Sequence, residues 1–129
     1  METVDRAGIL DRLKHSIQLL GCPAEVQLKS LPDFVCKADE LALDFDHWKS
    51  VALENFRLDL TEYQVQCLRA LDYSLTELSD RSSELWTETA VRDSAEWQRL
   101  RALAGIVLES FGWQLETPPN RADEFIGGG

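Results

Sequence analysis

Apolar residues recur along this chain at three- and four-residue spacing, and four long stretches carry the pattern. From Val4 to Leu20, the residues Leu10, Leu13, Ile17 and Leu20 form one stripe, which predicts a helix. Thr3 is placed to cap its start, and Gly21 with Pro23 to stop it. Thr61 to Ser79 is the clearest helix. Leu68, Leu71, Leu75 and Leu78 line one face, Thr61 and Gln64 have capping-box spacing, and Leu60 and Val65 sit at staple positions. From about Ser94 to Ser110, Trp97, Leu100, Ala104, Val107 and Phe111 share a face that Leu103, Ile106 and Leu108 widen. So wide a stripe predicts a central helix. Asp93 and Glu96 have the spacing to cap its start, and Gly112 ends it.

The fourth stretch, Glu40 to Phe56, has two readings. Leu41, Phe45, Trp48 and Ala52 fall on one helical face, with Val51 at its edge and Asp39 as the cap. Leu41, Leu43, Phe45 and His47 also alternate with Ala42, Asp44 and Asp46, as an edge strand would. A pattern sustained over about four turns favours the helix. Ala24 to Lys37 is less regular. Val26 and Leu28 alternate with polar residues as in a short strand. Pro32 interrupts the segment, and Phe34, Val35 and Cys36 make a small apolar cluster. Leu85 to Arg92 reads as a short helical turn capped by Thr87. Trp113 to Thr117 is expected to pack back on the helices before Pro118 and Pro119 block further helix.

The expected fold is therefore all-α: a single-domain bundle of about four principal helices near 4–20, 40–56, 61–79 and 94–110. The domain would span 1–117, with 118–129 as a flexible tail. A short hairpin near 26–46 would make the fold α+β instead. At 129 residues, such a domain buries roughly two-thirds of the surface its unfolded chain exposes, so it needs no metal or disulfide to fold. The three cysteines, Cys22, Cys36 and Cys67, are odd in number and lack CxxC spacing, so we expect reduced, mostly buried thiols. Cys22, in a Gly-Cys-Pro turn, is the one to test for reactivity.

Charge narrows the choice of partner. Residues 1–37 hold five acids and five bases, while 38–129 hold 18 acids and 8 bases, so the whole net charge of −10 belongs to the later part. Such a field repels nucleic acid and anionic lipid and attracts cations. Arg92, Arg99 and Arg101 are too few to reverse it. No apolar run approaches the roughly 20 residues that span a bilayer. The opening Met-Glu-Thr-Val-Asp-Arg lacks the basic and apolar regions of a secretory signal. Both features lead us to expect a cytoplasmic protein.

Catalytic chemistry has little support in the sequence. There is no GxSxG, no glycine-rich phosphate loop and no Cys-His motif. Two histidines are present. His15 reads as a half-exposed surface residue. His47 shares a helical face with Glu40 and Asp44, a set that could hold a divalent cation if further ligands joined it. Trp86 stands apart from the long stripes, flanked by Glu84 and Glu88. An aromatic anchor ringed by carboxylates is a means of gripping a basic protein.

The expectation is a non-enzymatic acidic protein-binding module, most concretely an immunity- or inhibitor-type protein that neutralises a cationic toxin or nuclease. Its partner-binding residues would be Glu40, Asp44, Asp46, His47, Glu84, Trp86 and Glu88. No metal or cofactor is expected. One alternative is a divalent-metal-dependent enzyme using Glu40, Asp44 and His47. Another is a regulatory subunit whose acidity serves solubility.

Overall fold

A computed structural model of the chain describes residues 6–33, 36–81 and 83–119. Among them are six α-helices: α1 (Arg6–Gly21), α2 (Ala24–Lys29), α3 (Lys37–Phe56), α4 (Glu62–Arg81), α5 (Glu88–Asp93) and α6 (Ala95–Phe111). Short 3-10 turns at Arg57–Asp59 and Ser83–Trp86 link them. The fold is an all-α bundle, with no strand among the described residues. Among those residues no helix is long and apolar enough to cross a membrane. The expected cap Thr3 and the tail from Asn120 onward lie outside them.

Local chemistry explains most helix ends. At α4, Gln64 N–H donates to Thr61 Oγ1 at 3.0 Å, and Thr61 N–H donates to Gln64 Oε1 at 2.9 Å. This reciprocal pair satisfies two backbone donors that the first turn leaves without partners. Thr87 Oγ1 accepts from Ala90 N–H at 3.1 Å and opens α5. Gly112, at φ +73°, ends α6 in the left-handed conformation that glycine adopts without a Cβ penalty.

Two starts differ from expectation. The cap of α6 is Ser94, whose Oγ accepts from Trp97 N–H at 3.2 Å, and Asp93 instead closes α5. The start of α3 lies at Lys37, before Asp39, and its N-cap Cys36 makes no side-chain cap bond. The buried Lys37 ties this end down: its Nζ donates to Leu28 O at 2.8 Å and meets Asp33 Oδ1 at 3.1 Å.

The irregular connection expected over 24–37, with its strand-like alternation near Val26, and the alternative hairpin over 26–46 are also corrected. Pro23 supplies a preset φ of −55° at the α2 N-cap, and its carbonyl accepts from both Val26 and Gln27 N–H. Residues 24–29 therefore turn into a helix. It is held to α1 by the fully buried Gln27, whose Nε2 donates to Leu19 O at 3.1 Å and Leu20 O at 2.9 Å. Phe34 and Val35 lie outside the described residues.

The four long helices pack in the order α3, α1, α6, α4, and α3 and α4 touch only sparingly. Leu13, Ile17, Phe45, Leu68, Leu71 and Trp97 are fully buried at the centre. The apolar stripes of α1 and α4 point inward as their spacing requires. Helix α6 is indeed central, packed on α1, α4 and α5, although Ile106 at its widened edge is exposed. Arg101 of α6 donates from Nε to Gln27 Oε1 at 3.2 Å and from a guanidinium NH2 to Val91 O, which ties α2 and α5 to the centre. After Gly112, Trp113 stacks on Phe111 with ring centres 4.3 Å apart, and Gln18 Nε2 donates to Gln114 O at 2.9 Å. The segment after α6 does pack back on the bundle.

Candidate functional site

The sparse contact between α3 and α4 leaves a groove of about 360 Å³ along their seam. Its walls are two helical stripes. From α3 come Asp39, Ala42, Leu43 and Asp46, at the i, i+3, i+4, i+7 spacing of one face. From α4 come Asp72, Leu75, Thr76, Ser79 and Asp80, spaced the same way. Trp86, on the 3-10 turn after α4, completes the lining. The floor is apolar and the rim carries four carboxylates. Leu43 is 58% exposed, a large apolar side chain left on the surface.

One cation spans the seam. Lys49 Nζ of α3 lies 3.1 Å from Asp46 Oδ1 and 3.0 Å from Asp72 Oδ1, with its side chain only 11% exposed. Burial pulls its ammonium pKa down, but hydrogen bonds and charge from Asp72 and Asp46 outweigh that, and the net shift is upward. Among the described residues, Asp39 and Asp80 form no ion pair.

Trp86 is half-buried, and its indole meets that of Trp97 edge-on. Its Nε1 is buried without a hydrogen-bond partner among the described residues. Trp97 is fully buried and donates from Nε1 to Leu85 O at 2.7 Å.

The structure divides the residues expected to bind a partner. Asp46 and Trp86 both line the groove. Glu40 and Asp44 line a different recess, on the α1 flank of α3, together with His15, Leu31 and Pro118. That recess holds about 20 Å³, room for roughly one water molecule. His47 is exposed and stands edge-on to Trp48 at 4.6 Å. Glu84 and Glu88 are exposed on the turn and at the start of α5, where Glu84 O accepts from Thr87 Oγ1. They flank Trp86 in sequence, but the carboxylates that share its groove come from α3 and α4.

Glu40, Asp44 and His47 do not form a metal centre. Glu40 and His47 are two turns apart, roughly 10 Å along the axis. Among the described residues no three His, Cys, Asp or Glu side chains converge to hold a metal. The imidazole that shares a recess with Glu40 and Asp44 is His15 of α1.

Cys22 is not an activated thiol: burial pushes its pKa up, and hydrogen bonding with Thr117 offsets this only in part. Cys67 is also buried, whereas Cys36 is exposed.

Sequence reasoning missed Asp39, Leu43, Asp72 and Asp80. The signal was present as two i, i+3, i+4, i+7 stripes of mixed acidic and apolar residues, but nothing local says that the two face each other. No family model matches this chain, and no curated protein or solved structure matches it either.

Proposed function

We propose that this chain is a non-enzymatic acidic binding module that captures a basic protein, acting as an inhibitor or immunity-type protein. The observation that carries the reading is the α3–α4 groove, an apolar floor under a carboxylate rim in which Lys49 pairs with Asp46 and Asp72 while Asp39 and Asp80 form no ion pair among the described residues. Apolar burial at the centre of a contact supplies affinity, and a rim of one sign supplies on-rate and selectivity. The net charge of −10 acts over longer range in the same sense, steering cations inward and turning nucleic acid away.

The test is capture by the immobilised chain. The expected result is recovery of one basic protein at low salt, its release as ionic strength rises, and loss of that protein's own activity when the chain is added. Recovery of a neutral or acidic protein, or binding insensitive to salt, would overturn the reading.

A further inference from the structure

We infer that the α3–α4 groove seats an amphipathic cationic peptide segment, with a lysine or arginine at its Asp39–Asp80 end and an apolar side chain on Leu43 and Leu75. The inference rests on the binding-module reading and divides the four rim carboxylates into two kinds.

Lys49 contacts Asp46 from its own helix and Asp72 from α4. That contact fixes the register. The two helices follow one another through a short turn and run antiparallel, so residues seven before Asp46 and eight after Asp72 lie at the same level. Those residues are Asp39 and Asp80, roughly 10–12 Å along the helix axes from Asp46 and Asp72. One end of the groove is therefore already neutralised by an internal ammonium. The other end presents two exposed carboxylates with no ion pair among the described residues.

Asp80 also sits where α4 tolerates it poorly. It lies in the last turn, next to backbone carbonyls at the negative end of the helix dipole. A cation supplied from outside would relieve both that interaction and the repulsion between Asp80 and Asp39.

Leu43 and Leu75 lie between the two ends. A ligand matching the whole groove carries its charge at one end and an apolar group beside it. A nucleic acid or an anionic lipid surface meets the two carboxylates of Asp39 and Asp80 that Lys49 leaves uncompensated, and a second copy of the chain brings the same net charge of −10.

The probe is a short synthetic helical peptide of lysine and leucine, labelled for anisotropy and titrated into the full chain at low salt. Asp39→Asn with Asp80→Asn should weaken binding about five- to tenfold, as two exposed charge pairs would. Leu43→Ser should weaken it about fivefold through lost apolar burial. The charge-matched control Glu25→Gln with Glu54→Gln, on exposed residues elsewhere, should change it about twofold or less.

Asp80→Asn alone should bind more weakly without unfolding any earlier, which separates a ligand contact from a structural one. Equal losses in the two double variants would show that net charge alone attracts the peptide and would overturn the inference, while capture of a basic protein still stood. A wild-type chain that ignores the peptide, or that self-associates through the groove and excludes it, would overturn it too.

Discussion

The indole of Trp86 stands edge-on to that of Trp97, with 5.7 Å between ring centres and 89° between planes. One ring lines the groove and the other is fully buried, so the groove wall is part of the core's packing. Trp97→Ala should cost about 3–5 kcal/mol in urea unfolding. Trp86→Ala should cost less, about 2 kcal/mol, because that ring is only half-buried. Trp86→Phe should fall within about 1 kcal/mol of wild type, since it keeps a ring and deletes a buried donor that has no partner. A Trp86→Phe variant as unstable as Trp86→Ala would mean that Nε1 is bonded in solution.

Gln27 joins three helices through one amide. It donates to Leu19 O and Leu20 O and accepts from Arg101 Nε. Gln27→Leu fits the space but leaves these groups without their partner, and burial makes that costly. The expected loss is about 2–4 kcal/mol. Gln98→Leu, on the exposed side of α6, should stay within about 0.5 kcal/mol of wild type. Equal stability of the two variants by denaturant titration would refute the network's role.

The protein should lose stability on the alkaline side. Burial raises the Cys22 thiol above its ordinary 9.0. Lys49 rises above 10.5 because its two aspartates outweigh burial. Tyr63, bonded to Cys67, and Tyr73, bonded to Glu77, also rise. In each case the folded state holds its proton more tightly than the unfolded chain. The associated stability is complete below the unfolded pKa and is lost as pH climbs through the folded one. The melting temperature should therefore begin to fall near pH 9.0, where Cys22 starts to matter. Cys22→Ala should remove the earliest part of the decline, and Lys49→Met a later part. A melting temperature that rises across this range would contradict the assignment.

Glu40 and Asp39 are neighbours in sequence but belong to different surfaces. Asp39→Asn should slow low-salt association with the cationic peptide more than Glu40→Gln does. Glu40→Gln should behave like the remote Glu25→Gln. The two rates can be compared by stopped flow at matched ionic strength. Equal slowing by Asp39→Asn and Glu40→Gln would reunite the acidic turn as one patch.

Gly112 holds φ +73° at the end of α6. Gly112→Ala should cost about 1 kcal/mol from backbone strain alone, because no neighbouring atom would crowd the new Cβ. A neutral result in thermal unfolding would mean that the α6 terminus relaxes at no cost.

Local chemistry settled much of this protein in the sequence itself. The stripes of α1, α4 and α6, the Thr61–Gln64 box, the Thr87 cap and the Gly112 stop are interactions within one or two turns, and spacing alone expresses them. Trp97 was legible as a core residue because it begins a long stripe. Helix α2 was not legible: six residues give no clear period, and it is held by Gln27 bonding to the end of α1. The start of α3 was missed because Lys37 finds its partners on the segment before it rather than in a cap. The acidic turn Glu40–His47 showed its charge but not its division. Residues one position apart on a helix point about 100° apart, so Asp39 and Asp46 fall toward α4 while Glu40 and Asp44 fall toward α1. Which flank matters depends on which helix lies there, and that was decided by long-range packing of α3 on α1 and of α4 on α6. The same packing left the α3–α4 seam open and brought Asp72, Asp80 and Trp86 to it.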